Sequence, residues 1–497
     1  MGVQITASML YDLVHCPHRV GMDLFGDRSK RDPVNPFVEL LWERGSTFER
    51  EIMESIEVPY LDLSAYSGDE KERLTDEAMQ RGEPLIYGGR IRSGDLLGDP
   101  DLLRREEGGY VPGDIKSGSG EEGSDEDGRP KKHYAVQLAL YADILEQRGL
   151  AAGRRGFIWD IHRREIPYDL TVLQGKRSPQ SLWEQYQDCL ATARSIVTRG
   201  ETTLPAYGGA CKQCHWYSAC LGELQGADDL TLIPELGRSK RDVMIAHIPS
   251  IRRFAFEDPA RFTSGRKTVF PGIGVDTLKK LHQRARLLAD PVGRPYLKEP
   301  VDLPRSTLEI FFDIEVDPMR DICYLHGFIE RRDGDSDNER YVAFFTESPT
   351  QDEEERAFAE AWRYLQAVGE CSIYYYSKYE RTIWRKLQEK YPGVCSVEDL
   401  EDFFDPTNAV DLYYDVVLPK TEWPTRDYSI KTLARYLGFD WRDTHPSGAA
   451  SIEWFHRWVR DGDSEIRQRI LDYNEDDCRA TRVLLDGVRV LPVRSLQ

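Results

Sequence analysis

Residues 98–116 read GDPDLLRREEGGYVPGDIK and predict a pair of short strands with acidic groups at its ends. Asp101 stands at the head of one strand, and Asp114 and Lys116 stand at the end of the next. Residues two apart on a strand point to the same face, so Asp114 and Lys116 are expected to converge. Two carboxylates can hold Mg²⁺ or Mn²⁺, and a nearby lysine can orient or deprotonate an attacking water. The competing interpretation is a surface hairpin with ordinary charges.

Two predicted helices supply further polar groups for such a site. Apolar residues recur at helical spacing over residues 134–147, where Gln137 and Tyr141 lie one turn apart and share a face. Upstream, Glu49 is another acid on a predicted helix, with Glu51 close by. These additions favour the metal site over the ordinary hairpin.

Together these residues resemble the RecB-type branch of the PD-(D/E)xK nucleases, which includes the CRISPR-associated adaptation nucleases. That family combines a helical Glu or His, an Asp, an Asp/Glu-x-Lys pair and a Gln-x-x-x-Tyr helix. The resemblance implies a restriction-endonuclease-like fold with metal on Asp101 and Asp114. It assigns catalytic roles to Glu49, Asp101, Asp114, Lys116, Gln137 and Tyr141.

A group of cysteines predicts a second kind of metal site. Cys211, Cys214 and Cys220 fall within ten residues, and Cys16 lies near the start of the chain. Four thiolates bind Zn²⁺ or an iron–sulfur cluster. In the same family, one cysteine before the nuclease core and a C-x2-C-x5-C after it hold a structural [4Fe–4S] cluster, so the resemblance favours the cluster over zinc. For zinc, the additional candidate ligands are His15, His18 and His215.

The C-terminal region contains a second set of acids. Asp313 and Glu315 follow an apolar run and share a strand face, whereas Tyr473 and Asp477 lie one turn apart on a helix. Carboxylates from separate elements suit divalent ions that clamp the attacking and leaving oxygens of a phosphodiester. The predicted elements are strands over 308–314, 322–330 and 341–346, followed by helices that end with 466–488.

This region resembles the DEDD superfamily of 3′–5′ exonucleases in its tyrosine-bearing form, which implies an RNase H-like α/β fold. Asp313 and Glu315 match the first motif of that superfamily, and Tyr473 and Asp477 match the third. Its middle motif usually has Asp after an aromatic residue, whereas here Glu380 follows a tyrosine. Asp411 is an additional or substitute metal ligand.

A basic segment separates the two acidic regions. Between residues 238 and 298, fourteen Lys or Arg against five Asp or Glu give a local charge of +9, within a chain whose net charge is −20. A turn of the form Gly-x-Gly before a predicted helix resembles a helix-hairpin-helix, whose backbone N–H groups bind phosphate. The alternative is a plain helical linker. The candidate nucleic-acid contacts are Gly272, Gly274, Lys279, Lys280 and Arg284.

Length and composition set the outer limits. The 497 residues exceed one ordinary core, and 40 % hydrophobic with 31 % charged residues indicates a soluble globular protein. The chain has no apolar run long enough to span a membrane and shows no secretion signal, so we expect a cytoplasmic protein.

We therefore expect an α/β multidomain protein that resembles the bacterial RecB-like nuclease fusion family over nearly its whole length. The expected domains are a nuclease with its cysteine site over 1–224, a helical connector over 225–300 and an RNase H-like exonuclease over 301–497. The expected reaction is metal-dependent hydrolysis of DNA with single-stranded or free ends, in repair, recombination or defence, with a helicase or repair protein as a candidate partner. Alternatives are a non-catalytic or partner-dependent nucleic-acid-binding scaffold and an RNA-processing exonuclease.

Overall fold

The structure is a computed structural model and describes residues 2–122, 128–175, 179–200 and 202–494. The chain divides into two compact units, Met1–Gly222 and Glu223–Gln497. None of the helices in these described ranges is both long and apolar enough to cross a membrane.

The first unit alternates helices with short strands. Its helices are α1 (Ala7–His15), α2 (Pro17–Phe25), α3 (Pro36–Ser55), α4 (Gly68–Arg81), α5 (Lys132–Gln147), α6 (Leu182–Val197) and α7 (Tyr217–Gly226), the last of which leads into the second unit. Its strands are β1 (Ile5–Thr6), β2 (Leu61–Asp62), β3 (Leu85–Tyr87), β4 (Ile91–Ser93), β5 (Leu96–Gly98), β6 (Leu102–Glu106), β7 (Gly109–Ile115), β8 (Glu121–Glu122), β9 (Arg129–Pro130), β10 (Arg155–Trp159), β11 (Glu165–Asp169), β12 (Leu173–Gln174) and β13 (Gln180–Ser181).

A six-stranded mixed sheet in the order β11-β10-β7-β6-β3-β2 forms the centre of this unit. Strands β6 and β7 pair antiparallel, as residues 98–116 predicted, and β7 pairs parallel with β10. Helix α5 is the main packing partner because its apolar residues, from Ala135 to Leu145, are almost all buried. Helix α3 begins at Pro36, where the Asn35 side chain accepts a hydrogen bond from the backbone N–H of Phe37. The sheet and these two helices position the first acidic site.

The acidic segment between β7 and α5 contains a short strand pair. Strands β8 and β9 pair antiparallel within the stretch 117–132, which the Gly, Ser and acidic composition predicts to be a mobile loop. Residues 123–127 of that stretch lie outside the described residues.

The second unit combines the basic segment with the C-terminal region. Its helices are α8 (Gly237–Met244), α9 (Ile251–Phe256), α10 (Val275–Ala289), α11 (Gln351–Val368), α12 (Tyr379–Lys390), α13 (Val397–Phe403), α14 (Leu418–Lys420), α15 (Ile430–Tyr436), α16 (Gly448–Asp461) and α17 (Ser464–Arg489), with a π-helical turn at Leu412–Val417. Its strands are β14 (Thr263–Ser264), β15 (Lys267–Thr268), β16 (Tyr296–Leu297), β17 (Leu308–Asp317), β18 (Ile322–Arg332), β19 (Arg340–Phe345), β20 (Ser372–Tyr375), β21 (Ala409–Asp411) and β22 (Thr421–Glu422).

A five-stranded sheet in the order β19-β18-β17-β20-β21 forms the core of this unit. The first three strands pair antiparallel, whereas β20 and β21 add parallel to β17. Strand β17 is central and nearly all buried, and the long helix α17 packs against it. The strands predicted at 308–314, 322–330 and 341–346 and the final helix are therefore present, each within a few residues of the predicted bounds. This topology carries the second acidic site on β17 and α17.

Candidate active sites

The floor of the first site is the junction of β6 and β7. The Asp101 Oδ2 atom accepts a hydrogen bond of 2.8 Å from the backbone N–H of Ile115, which fixes this carboxylate against the neighbouring strand. Lys116 Nζ lies 2.8 Å from Asp114 Oδ2 and 3.9 Å from Asp101 Oδ2. Asp114 is buried. The structure therefore brings the two predicted carboxylates and the predicted lysine together.

The electrostatics of this floor favour a bound cation. Burial and the adjacent Asp114 raise the pKa of Asp101 to about 8. Burial alone would lower the pKa of Lys116, but Asp114 and Asp101 outweigh burial and hold that pKa above its ordinary value. A lysine that remains protonated can orient water or offset negative charge, but it is a poor base for deprotonating that water. Two crowded carboxylates with one lysine fit a divalent ion bound by oxygen atoms.

Helices α3 and α5 form the walls of the first site. The Glu49 carboxylate hydrogen-bonds the Tyr87 hydroxyl, and its charge raises the pKa of Asp101, so Glu49 faces this floor. The Gln137 Oε1 atom is buried and has no hydrogen-bond partner within the described residues. Tyr141 is buried below it, and its hydroxyl donates to the Asp99 carbonyl oxygen over 3.4 Å. Glu49 thus offers its carboxylate toward this floor, and Gln137 lies on α5 one turn before Tyr141 with a buried oxygen atom.

The four cysteines lie at helix ends in the first unit. Cys16 separates α1 from α2. Cys211 lies in a 3-10 turn, Cys214 follows that turn directly, and Cys220 lies in α7. Burial raises the pKa of the Cys214 thiol, and the nearby Cys16 and Cys211 thiols raise it further. The fold therefore brings the distant Cys16 close to the later cysteine segment.

Polar contacts tie the N-terminal helices to the cysteine segment. The Asp23 Oδ1 atom lies 2.7 Å from His215 Nε2 and accepts a hydrogen bond of 2.9 Å from Trp216 Nε1. His18 Nδ1 lies 3.0 Å from Thr203 Oγ1. Two of the three histidines considered as zinc ligands thus have polar partners elsewhere, and the third, His15, lies among aromatic rings.

The second site joins β17 to α17. One carboxylate oxygen from each of Asp313, Glu315 and Asp477 lies within 4.8 Å of the other two. Asp313 and Glu315 alternate along β17 on one face, and Asp477 is on the facing helix one turn after Tyr473. Three convergent carboxylates are the donor set that Mg²⁺ or Mn²⁺ prefers.

Burial and mutual repulsion disfavour the charged forms of these acids. Burial and the Asp477 charge raise the pKa of Glu315 to about 8. Burial, followed by the charges of Asp477, Glu315 and Glu380, raises the pKa of Asp313 well above its ordinary value. The cluster therefore needs a cation to be fully ionised at neutral pH.

Sequence reasoning missed Lys431, which supplies part of that positive charge. Its Nζ atom donates to both Asp477 oxygens at 3.0 and 3.1 Å and to the Tyr473 hydroxyl at 2.9 Å. Trp441 Nε1 donates to Asp477 Oδ1 at 2.7 Å. Both residues lie between the matched motifs, where isolated Lys and Trp residues carry no recognisable spacing.

Asn474 was also missed, although it lies between Tyr473 and Asp477. Its Nδ2 atom donates to Asp313 Oδ2 at 2.8 Å, and its Oδ1 atom accepts from the Tyr341 hydroxyl at 2.8 Å. A Cβ atom on Gly327, which pairs with Asp313 across β17 and β18, would clash with Asn474 Oδ1. Gly327 therefore makes room for the side chain that positions Asp313.

Glu380 and Asp411 occupy different places around this site. Glu380 is buried on α12, and its charge acts on Asp313, whereas its own pKa is raised well above the ordinary value by burial and by the charges of Asp411 and Asp477. Asp411 Oδ1 accepts backbone N–H groups from Ser377, Tyr413 and Tyr414 and so caps the π-helical turn.

Each of these two acids retains one buried oxygen, Glu380 Oε2 and Asp411 Oδ2, with no hydrogen-bond partner in the described ranges. Glu380 is therefore the candidate fourth carboxylate of the cluster. The other carboxylate oxygen of Asp411, Oδ1, is occupied by the backbone N–H groups of the π-helical turn that it caps.

The basic segment exposes only part of its charge. Gly272, Gly274 and Lys279 are exposed, and Lys280 is partly exposed and paired with Glu235 at 2.7 Å. A 3-10 turn and the β14–β15 hairpin separate α9 from the Gly-x-Gly turn that precedes α10.

The position of Arg284 does not agree with its predicted role as a phosphate contact. It is buried, with Nε 2.9 Å from Glu422 Oε2 and a further ion pair to Glu235. A guanidinium held by two carboxylates away from water is not available to phosphate. The predicted phosphate contact is therefore wrong for Arg284, which has a structural role. The helical periodicity of α10 puts this residue on the inner face of the helix.

Comparison with known protein families also assigns the two acidic sites to two separate regions of the chain. The family model of the PD-(D/E)XK nuclease superfamily matches residues 35–221, and that of the RNase_H superfamily matches residues 310–488. No curated protein gives a significant match to the chain. The expected α/β class and both nuclease folds are confirmed. The chain carries a PD-(D/E)XK nuclease superfamily domain followed by an RNase_H superfamily domain, and this pairing supports a metal-dependent nuclease.

Proposed function

We propose that the protein hydrolyses phosphodiester bonds at two separate sites, one in each unit, and that DNA with single-stranded or free ends is its substrate. The observation that carries this proposal is the convergence of Asp313, Glu315 and Asp477 within 4.8 Å in a domain of a nuclease superfamily. The paired Asp114 and Lys116 support the same chemistry in the first unit.

At the second site, Asp313, Glu315, Asp477 and Glu380 would hold Mg²⁺ or Mn²⁺. Bound ions of this kind lower the pKa of water and stabilise the negative charge of a phosphoryl transition state. The Tyr473 hydroxyl accepts a hydrogen bond from Lys431 and is hydrogen-bonded to Asp477, so it lies beside the proposed metal ligands, where it would orient an attacking water. Asn474 fixes Asp313, and Trp441 fixes Asp477.

At the first site, Asp101 and Asp114 would hold the ion, with Glu49 and Gln137 as neighbouring oxygen donors. Protonated Lys116, beside these two carboxylates, would offset the negative charge that develops on a substrate phosphate. Tyr141 closes the bottom of the site, where the absence of a side chain at Gly98 leaves room for its ring. The residues of this site therefore serve metal binding, charge stabilisation and exclusion of bulk water.

The four cysteines would hold a [4Fe–4S] cluster with a structural role. Linking Cys16 to the Cys211–Cys220 segment closes a loop of nearly the whole first unit, which limits the unfolded chain and stabilises the fold. The contact of Asp23 with His215 already joins these two segments, and His18 contacts Thr203, eight residues before Cys211. Zinc is the alternative occupant, and metal analysis separates the two.

Gly272, Gly274, Lys279 and Lys280 would contact the phosphate backbone of the substrate. These residues are wholly or partly exposed in a segment of charge +9, the expected footprint of a phosphate contact within an acidic protein. Cleavage at the first site followed by trimming at the second would explain why the two domains share one chain.

The proposal is tested with anaerobically purified protein, Mn²⁺ or Mg²⁺, and four labelled substrates. These are linear and circular single-stranded DNA, duplex DNA and single-stranded RNA. We expect cutting of linear single-stranded DNA that EDTA abolishes, with weaker cutting of the circle because trimming needs an end.

Equal cutting of RNA would overturn the preference for DNA. Absence of metal-dependent cutting on all four substrates, by folded protein with intact metal content, would overturn the proposed function and favour a binding scaffold.

A further inference from the structure

A cluster of four rings lies beside the first site. Tyr11 and His15 on α1 face His133 on α5, with ring centroids 4.9 Å apart for Tyr11–His15, 5.0 Å for Tyr11–His133 and 4.9 Å for His15–His133. The Tyr134 ring follows at 4.4 Å from His133. His15 is exposed and the other three rings are partly exposed, so this cluster opens to solvent. We name these four residues the ring cluster.

Helix α5 connects the ring cluster to the metal-binding floor. His133, Gln137 and Tyr141 succeed one another at intervals of four residues and therefore form one stripe along the helix. The stripe runs from the partly exposed His133 to the buried Tyr141. Lys116 Nζ lies 5.9 Å from the centroid of the Tyr134 ring. The ring cluster therefore stands at the outer end of the α5 wall, next to Lys116.

Helix α3 repeats this arrangement. Trp42 precedes Glu49 by seven residues, two helical turns, and so lies on the same face of α3. Trp42 is 63 % exposed, a large exposed fraction for a side chain with this much apolar surface. A Cβ atom on Gly45, between them on that face, would lie 4.0 Å from Ser117 Oγ, directly after Lys116. Helix α3 thus carries an exposed ring beyond Glu49, and α5 carries partly exposed rings beyond Gln137.

We propose that the ring cluster and Trp42 form a stacking site for unpaired nucleobases of the strand that is cut at Asp101, Asp114 and Lys116. This inference rests on the proposed function of the first site and adds how that site would bind its substrate, through the exposed faces of unpaired bases. Every nucleobase presents a flat face that stacks on aromatic side chains without a preference for sequence. Bases within a duplex stack on each other, so only an unpaired segment fits.

The charges around the rings agree with this occupant. Burial lowers the pKa of His133 to about 4, so its ring is uncharged at pH 7. Lys116 and Lys131 lie beside Tyr134 and can face the phosphates between the stacked bases. Aromatic faces flanked by lysines are a common composition of single-strand binding grooves.

Photo-crosslinking locates the bases directly. Single-stranded DNA and RNA oligonucleotides that carry 5-iodouracil are irradiated with the full-length protein in EDTA, and crosslinked peptides are identified by mass spectrometry. We expect crosslinks on Trp42 and on the peptide that contains His133 and Tyr134, from whichever polymer the site accepts. Crosslinks in the first unit only at other peptides, or none in that unit, would overturn the inference.

Kinetics test the same site in a background without the second activity. In an Asp313→Ala protein, we expect His133→Ala and Trp42→Ala each to raise KM for single-stranded substrate about 5- to 10-fold, with kcat little changed. His133→Phe should retain the parent KM because it restores a stacking ring. Tyr66→Ala, which removes an exposed tyrosine outside the ring cluster, is the matched control and should have no effect.

The outcomes separate the inference from the proposed function. If the Asp313→Ala protein cuts single strands but His133→Ala and Trp42→Ala leave KM unchanged, the stacking site is wrong and the nuclease assignment stands. If the Asp313→Ala protein cuts nothing while the predicted crosslinks form, the bases bind there and the catalytic assignment of the first site is wrong.

Discussion

Lys431 is the only positively charged side chain in the described residues that donates to Asp477, and it reaches Tyr473 as well. Its ammonium group fixes two side chains that belong to different stages of the proposed reaction, metal binding and water positioning. Lys431→Met is therefore expected to lower kcat at the second site by about 10- to 100-fold, because small misplacements of reacting groups are costly. The measurement is mononucleotide release in a Lys116→Ala background.

Lys386→Met provides the matched control for Lys431→Met. Lys386 is an exposed lysine on α12, and its loss should leave the rate unchanged. Equal rates for the Lys431→Met and Lys386→Met proteins would show that Lys431 has no part in positioning.

Glu315 gives the second site a distinct pH dependence. Its pKa is raised from 4.5 to about 8 in the folded protein, so between these values the folded protein keeps a proton that the unfolded chain has released. Stability must then fall as pH rises through this window. In EDTA, we expect the Tm of the second unit to fall by several degrees between pH 5 and pH 8, and Mn²⁺ to restore more of it at pH 8.

Glu315→Gln isolates this effect because it removes the titrating group while preserving its size. In calorimetry with EDTA, the variant should lose Tm less steeply over the same pH range. An identical slope in the variant and the parent would assign the pH dependence to other groups.

At the level of secondary-structure elements, the packing of β18 on α17 depends on a glycine. Gly327→Ala would place its Cβ atom against Asn474 Oδ1, so Asn474 must move away from Asp313. We expect a loss of about 1–3 kcal/mol in the free energy of unfolding and at least a 10-fold fall in kcat at the second site. Gly393→Ala, where a Cβ atom meets open space, is the control. Unchanged activity in Gly327→Ala would remove Asn474 from the positioning of Asp313.

The proposed [4Fe–4S] cluster would lie where α1 and α2 meet the segment before α7. Cys214→Ser should remove iron, acid-labile sulfide and visible absorbance, and it should lower the Tm of the first unit because a loop closure is lost. Cys371→Ser in the second unit should change none of these quantities. Stoichiometric zinc without sulfide in the parent protein would replace the cluster with a zinc site.

Across the whole molecule, the periodicity of the sequence predicted those site residues that lie on the same strand or the same helix. The strand that carries Asp313 and Glu315 follows from an apolar run, and the Tyr473–Asp477 pair follows from helical spacing. Lys431 and Trp441 could not be predicted, because their contacts with Asp477 arise from the packing of separate segments onto α17. Arg284 was misplaced for the same reason, since its buried partner Glu422 is distant in sequence.

The central claim is that each unit carries its own nuclease site. Its most direct test is the cleavage of end-labelled single-stranded DNA in Mn²⁺ by Lys116→Ala, Asp313→Ala and the double variant, compared with the parent protein. We expect each single variant to lose a different set of products while the other set persists, and the double variant to lose all cutting. Identical product patterns in the parent and both single variants, or cutting that survives in the double variant, would contradict the account.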